Sequence, residues 1–243
     1  IAHFKQAIDI ESDYAPAHTN LGVIRMQQGM LNEAIAHFKQ AIKSDDAEAH
    51  FNLGVIRLQQ GSLDEVVAHF KQAVTIKPDY AQAHTNLGAI RVQQGRVDEA
   101  VAHFKQAIKF DYAEACNNLG AIRARQGRLD EAIIHYKRAI AIKPDYAEAH
   151  TNLGLSRAQQ GSLNEAIAHY KEAVRVDPHY LRARCRLGDL LAGQGRLDEA
   201  IAQFAEVLRI NPEHENARRS LLLAKQLKAR QNQQSRPETP ESP

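Results

Sequence analysis

Residues 81–112 read AQAHTNLGAIRVQQGRVDEAVAHFKQAIKFDY. Residues 81–94 lack proline, and the single Gly88 costs a helix only ~1 kcal/mol against alanine, so this half reads as one helix. Gly95 follows at the place where a helix ends on a left-handed residue. Val97-Asp98-Glu99 opens a second helix, its acids at the end where the helix dipole favours negative charge. Ala100, Val101, Phe104, Ala107 and Ile108 then fall at offsets 0, 1, 4, 7 and 8, which is one apolar helix face. The stretch is a helical hairpin. Gly88 and Ala100 remove side chains where the helices cross, and Phe104 fills the space.

The hairpin is one copy of a repeat. Asn-Leu-Gly recurs with its leucine at Leu21, Leu53, Leu87, Leu119 and Leu153; Arg-Leu-Gly follows at Leu187, and Leu221 stands in phase. Successive spacings are 32, 34, 32, 34, 34 and 34. Self-similarity at such a period marks a solenoid, in which each unit buries its apolar face against its neighbours. The boundaries are a partial repeat over 1–14, full repeats over 15–46, 47–80, 81–112, 113–146, 147–180 and 181–214, a closing helix over 215–230, and a polar, proline-rich tail over 231–243 read as disordered. The two 32-residue copies lack the Lys-Pro turn found at Lys143-Pro144. Either they alter the twist of the array or they are loop drift. In the closing helix Leu221, Leu222, Leu223 and Leu227 are expected to cover the last repeat.

The pattern resembles the tetratricopeptide repeat (TPR) family over residues 1–230. Leu87-Gly88, Gly95, Ala100, Phe104 and Ala107 match its Leu-Gly, turn glycine, alanine, aromatic and alanine. At the family's tryptophan position this chain has His18, His50, His84, Cys116, His150 and Arg184, and at its tyrosine position Arg25, Arg57, Arg91, Arg123 and Arg157. The resemblance implies an all-α solenoid of antiparallel helix pairs in a right-handed superhelix.

Repetition also accounts for the composition. Twelve of 13 glycines and ten of 12 histidines occupy repeated positions, so neither count points to a phosphate loop or a metal site. No zinc set of about four converging ligands is legible, and the histidines are expected to pack between helices. With 31 basic against 29 acidic residues, the chain lacks the basic excess of a general nucleic-acid binder. No run of ~18 apolar residues offers a membrane span. No catalytic residue, metal or cofactor is expected, and Cys116 and Cys185 read as packed or half-exposed thiols.

What the resemblance implies about function is a binding face lined by the first helix of each pair. Asn20, Asn52, Asn86, Asn118 and Asn152 would form a ladder, each amide both donating to and accepting from an extended peptide backbone. Thr19, Phe51, Thr85, Asn117 and Thr151 would sit beside it, with Val23, Val55 and Leu155 one turn on. The alternative is that asparagine is simply common there in the family. Arg182 and Arg186, with Asn152, resemble part of a carboxylate clamp; the alternative is a charged terminal repeat. The expected partner is a protein or peptide. Two further readings stand beside this one: the C-terminal TPR region of a larger, membrane-embedded glycosyltransferase-like protein, and a self-assembling scaffold. Because Ile1 falls inside a second helix, the chain reads as a fragment, and its compartment stays open.

Overall fold

A computed structural model describes residues 1–234, and the end of the expected tail, 235–243, lies outside the described residues. Among the described residues every regular element is helical. The chain divides into two compact units, the first ending at Asn118 and the second beginning at Leu119.

The first unit holds α1 (Ala2–Ile10), α2 (Ala15–Gln27), α3 (Leu31–Ala41), α4 (Ala47–Gln59), α5 (Leu63–Ile76), α6 (Ala81–Gln93), α7 (Val97–Ile108) and the start of α8 (Ala113–Arg125). Three hairpins form it, α2 with α3, α4 with α5, and α6 with α7. The second unit holds the rest of α8, then α9 (Leu129–Ile142), α10 (Ala147–Gln159), α11 (Leu163–Val176), α12 (Leu181–Gly193), α13 (Leu197–Ile210) and α14 (Glu215–Gln234). There α10 pairs with α11 and α12 with α13, while α14 packs on α13. First helices also touch one another, α2 with α4 in one unit and α10 with α12 and α12 with α14 in the other, so they share a face.

The hairpin turns follow from the glycines. Gly95 takes φ 73°, its N–H donates to the Val92 carbonyl at 3.0 Å, and Arg96 N–H donates to that of Arg91 at 2.8 Å. Those two bonds satisfy carbonyls that the helix end would leave bare. At the crossing, Ala100 and Phe104 are buried. The core of each unit is built from the same positions: Phe38, Phe70 and Phe104 in the first, Tyr136, Tyr170 and Phe204 in the second.

The short copies close differently. Ile42–Ser44 forms one 3-10 turn and Asp45 then takes φ 51°; Asp111 takes φ 49° in the other short copy. A left-handed aspartate, among the residues that tolerate this region best, thus stands where the longer copies spend two more residues on a turn containing Pro78, Pro144, Pro178 or Pro212.

Two expectations change at the C-terminal end. Leu221 and Ala224 pack into the core beside Leu187, Leu191 and Phe204. Leu222, Leu223 and Leu227 instead are 59%, 56% and 38% exposed, because they lie on the side of α14 turned away from α13. The helix also runs on through Gln231 to Gln234, past the expected start of a disordered tail.

Candidate functional site

The asparagine positions all lie on first helices, two turns before the helix ends, but their surroundings differ. Asn20 is exposed, and its Nδ2 donates to the Pro16 carbonyl at 2.7 Å. Asn52 is buried at 7% exposure, and its Nδ2 has no hydrogen-bond partner in the protein. Asn86 and Asn118 are half-buried. Asn152 is buried, and its Oδ1 accepts from Arg182 Nη2 at 3.1 Å. The row is therefore one of position and not of equivalent amides.

The flanking residues separate into two groups. Val23, Val55, Leu155 and Phe51 are half-buried. The Phe51 ring lies 5.0 Å from that of Tyr80 and 5.4 Å from that of Phe70. Thr19, Thr85, Asn117 and Thr151 are enclosed, none more than 6% exposed. Thr85 and Thr151 turn their hydroxyls onto the carbonyls of Ala81 and Ala147 at 2.8 and 2.9 Å. One residue is about 100° on a helix, which carries these four inward while the neighbouring asparagine stays nearer the surface.

In the second unit the ladder phase is broken by Arg186, and a cleft of about 310 Å³ opens between α12 and α14. Arg182, Arg186, Asp189, His214, Asn216 and Ser220 contribute its polar wall. His214 Nδ1 accepts from the Ala217 N–H at 3.2 Å, so the neutral ring carries its hydrogen on Nε2, which lies 3.9 Å from Cys185 Sγ. Burial pushes the Cys185 thiol up, which keeps it protonated and unlike an activated nucleophile.

Two side-chain sets were not read from sequence. Arg25, Arg57, Arg91, Arg123 and Arg157 reach across their turns to Glu33, Glu65, Glu99, Glu131 and Glu165, with Nε–Oε2 distances of 2.8–3.4 Å. Each also donates from Nη1 to a glutamine at its own helix end, as Arg57 does to Gln60 at 2.7 Å. The second set is a series of histidine pairs. His18 meets His37, His50 meets His69, His84 meets His103 and His150 meets His169, with Nδ1–Nδ1 distances of 3.1, 3.1, 3.2 and 3.4 Å. The signal was present: a histidine follows another by 19 residues in long and short copies alike. Among the described residues no group of three or more metal-ligating side chains converges, and no helix is long and apolar enough to cross a membrane.

Comparison with known proteins fits this geometry. The tetratricopeptide repeat description matches residues 19–81 and 151–215, a second of the same name matches 57–121, and a TPR repeat description matches 122–161. No curated protein sequence matches the chain. Among solved structures, the APC/C hetero-tetramer Cut9-Hcn1 superposes with TM-score 0.74 at 17% identity, over 91% of this chain and 45% of that one. PilW, a type IV pilus biogenesis factor, gives 0.69 at 22% identity over 87% and 98%. YrrB, described as a TPR protein with an unusual peptide-binding site, gives 0.56 at 22% identity over 78% and 97%. At these identities the likeness is one of fold, and this chain spans less than half the length of the first.

Proposed function

The chain belongs to the tetratricopeptide repeat family, and from that premise we propose that it is a non-catalytic protein-interaction scaffold whose first helices hold an extended peptide. The observation that carries this reading is Asn52. A buried amide without a partner costs about 1–3 kcal/mol, and Asn52 Nδ2 is such a group on α4, a first helix. Nδ2 is closed to solvent as it stands, so a carbonyl of an extended segment along α4 removes the cost once the Asn52 side chain turns outward to meet it. Phe51, Val23 and Val55 add half-buried apolar surface beside it, and Asn20, Asn86 and Asn118 add amides above and below in the same unit. Backbone recognition through side-chain amides is tolerant of sequence, so the occupant is defined by extended shape and scattered apolar side chains.

In the second unit the cleft between α12 and α14 favours an acidic group. Arg182 and Arg186 can each give a carboxylate two parallel hydrogen bonds, Asn216 and Ser220 line the same wall, and burial raises the Asp189 carboxyl beside them, which weakens its competition for the arginines.

A pull-down with the wild type and the Asn52/Asn86/Asn118→Ala triple variant tests the reading. The triple variant is expected to lose partners that the wild type retains, at unchanged helicity. Equal recovery by both defeats it.

A further inference from the structure

We propose that each histidine pair is a proton-binding site that clasps the two helices of its repeat and releases them in acid. The bond geometry defines its proton count. His18, His84 and His150 donate from Nε2 to the carbonyls of Ser12, Pro78 and Pro144 at 2.9, 3.1 and 3.1 Å, since a carbonyl can only accept. With the hydrogen fixed on Nε2, the neutral ring presents a bare Nδ1 to its partner. His37, His103 and His169 must therefore donate from Nδ1. Ring centroids 5.4–5.6 Å apart with nitrogens 3.1–3.4 Å apart mean that the rings meet end on, as in one N–H···N bond. A first extra proton, on the outer Nε2 of the second-helix ring, leaves that bond intact. A second, on the inner Nδ1, sets two N–H groups head to head and breaks it.

The surroundings oppose charging. Burial first, and then the partner ring, hold His69, His103 and His169 below the ordinary histidine range; burial and then His18 do the same for His37. The groups facing His18–His37 are Lys5, Arg25 and Glu33; those facing His84–His103 are Lys71, Arg91, Lys109 and Glu99; those facing His150–His169 are Lys137, Arg157, Glu165 and Glu172. Cations outnumber carboxylates at the first two, and at His150–His169 they are equal, two against two. His50–His69 differs, since Asp45, Asp46 and Glu65 face it against Arg57 alone. The sixth repeat fills the same slot with a pair that does not titrate near neutrality: Arg184 Nη1 donates to Gln203 Oε1 at 3.3 Å and its Nε to the Pro178 carbonyl at 2.8 Å.

The sign follows from linkage. A histidine whose folded pKa lies below 6.5 binds fewer protons folded than unfolded at mildly acid pH. Its stabilising contribution is complete above pH 6.5 and is lost as the pH falls from there through the folded value.

The test transplants the protein's own non-titrating pair. The full chain carries H18R/H37Q, H50R/H69Q, H84R/H103Q and H150R/H169Q, and urea midpoints are followed by circular dichroism from pH 7.5 to 5.5. The wild-type midpoint is expected to fall across that range and the variant's by less than half as much. An equal fall in both overturns the proposal. A ring-proton NMR titration of the wild type needs no variant to fold. Rings of His37, His69, His103 and His169 titrating below 6.5 support the proposal, and the same rings titrating at or above 6.5 overturn it. Both readouts are free of any peptide, so they stand apart from the outcome at the asparagine face.

Discussion

Gly88 and Phe104 occupy one space: a Cβ on Gly88 would stand 2.6 Å from Phe104 Cε1. The same relation joins Gly22 with Phe38, Gly54 with Phe70 and Gly154 with Tyr170. Each ring seats against bare backbone of the facing helix, and that contact fixes the hairpin. Phe104→Ala is expected to cost about 3–5 kcal/mol and Ala100→Leu about 1–3 by overpacking, since both sites are closed to solvent. Urea melts read both, and an unchanged midpoint for either removes the packing assignment.

The left-handed aspartate of the first short copy gives a backbone prediction. Asp45 at φ 51° closes the turn that precedes α4. Asp45→Gly should leave stability level or raise it, because glycine adopts this region freely. Asp45→Val should lower it by about 1–2 kcal/mol, because its Cβ meets the following carbonyl. Thermal melts that rank Val at or above Gly contradict the assignment.

Arg57 and Glu65 join the two helices of their hairpin at 2.8 Å, but Glu65 is 54% exposed. Solvent therefore screens the pair, and Arg57→Met is expected to cost no more than about 1 kcal/mol. The difference from wild type should shrink in high salt. A loss that high salt leaves unchanged would show that the arginine acts through packing instead.

Leu222 stands at the phase where the repeats have glycine, yet it is 59% exposed. The double change Leu222→Ser and Leu223→Ser should move the unfolding midpoint little, within about 0.5 kcal/mol. Leu187→Ala, buried at 2%, should cost about 2–5. Comparable losses in the two variants would place the α14 leucines in the core after all.

Most of the fold was legible because it rests on short-range rules. Gly95 ends its helix, Asp98 and Glu99 start the next, and Phe104 falls on a face defined by the 3.6-residue period. What lies across the hairpin was harder to read. The His50–His69 contact depends on the register of two helices through a turn, and the clue was a separation of 19 residues that survives the change from 34- to 32-residue copies. The groove was legible only in part. Thr85 and Asn86 are adjacent in sequence, but the helix turns one onto its own backbone and leaves the other half-buried. For α14, the four leucines span more than one helix face, and only the position of α13 decides that Leu221 packs while Leu223 does not.

The most direct measurement of the central claim is calorimetric titration of a peptide, selected from a random extended-peptide library on the wild type, into wild type and Asn52→Ala. One backbone hydrogen bond lost from a buried amide is worth about 1 kcal/mol, or about five-fold in affinity. The account predicts binding weaker by at least that factor in Asn52→Ala, and unchanged binding in the exposed second-helix variant Lys71→Ala. Equal affinity for wild type and Asn52→Ala would contradict it.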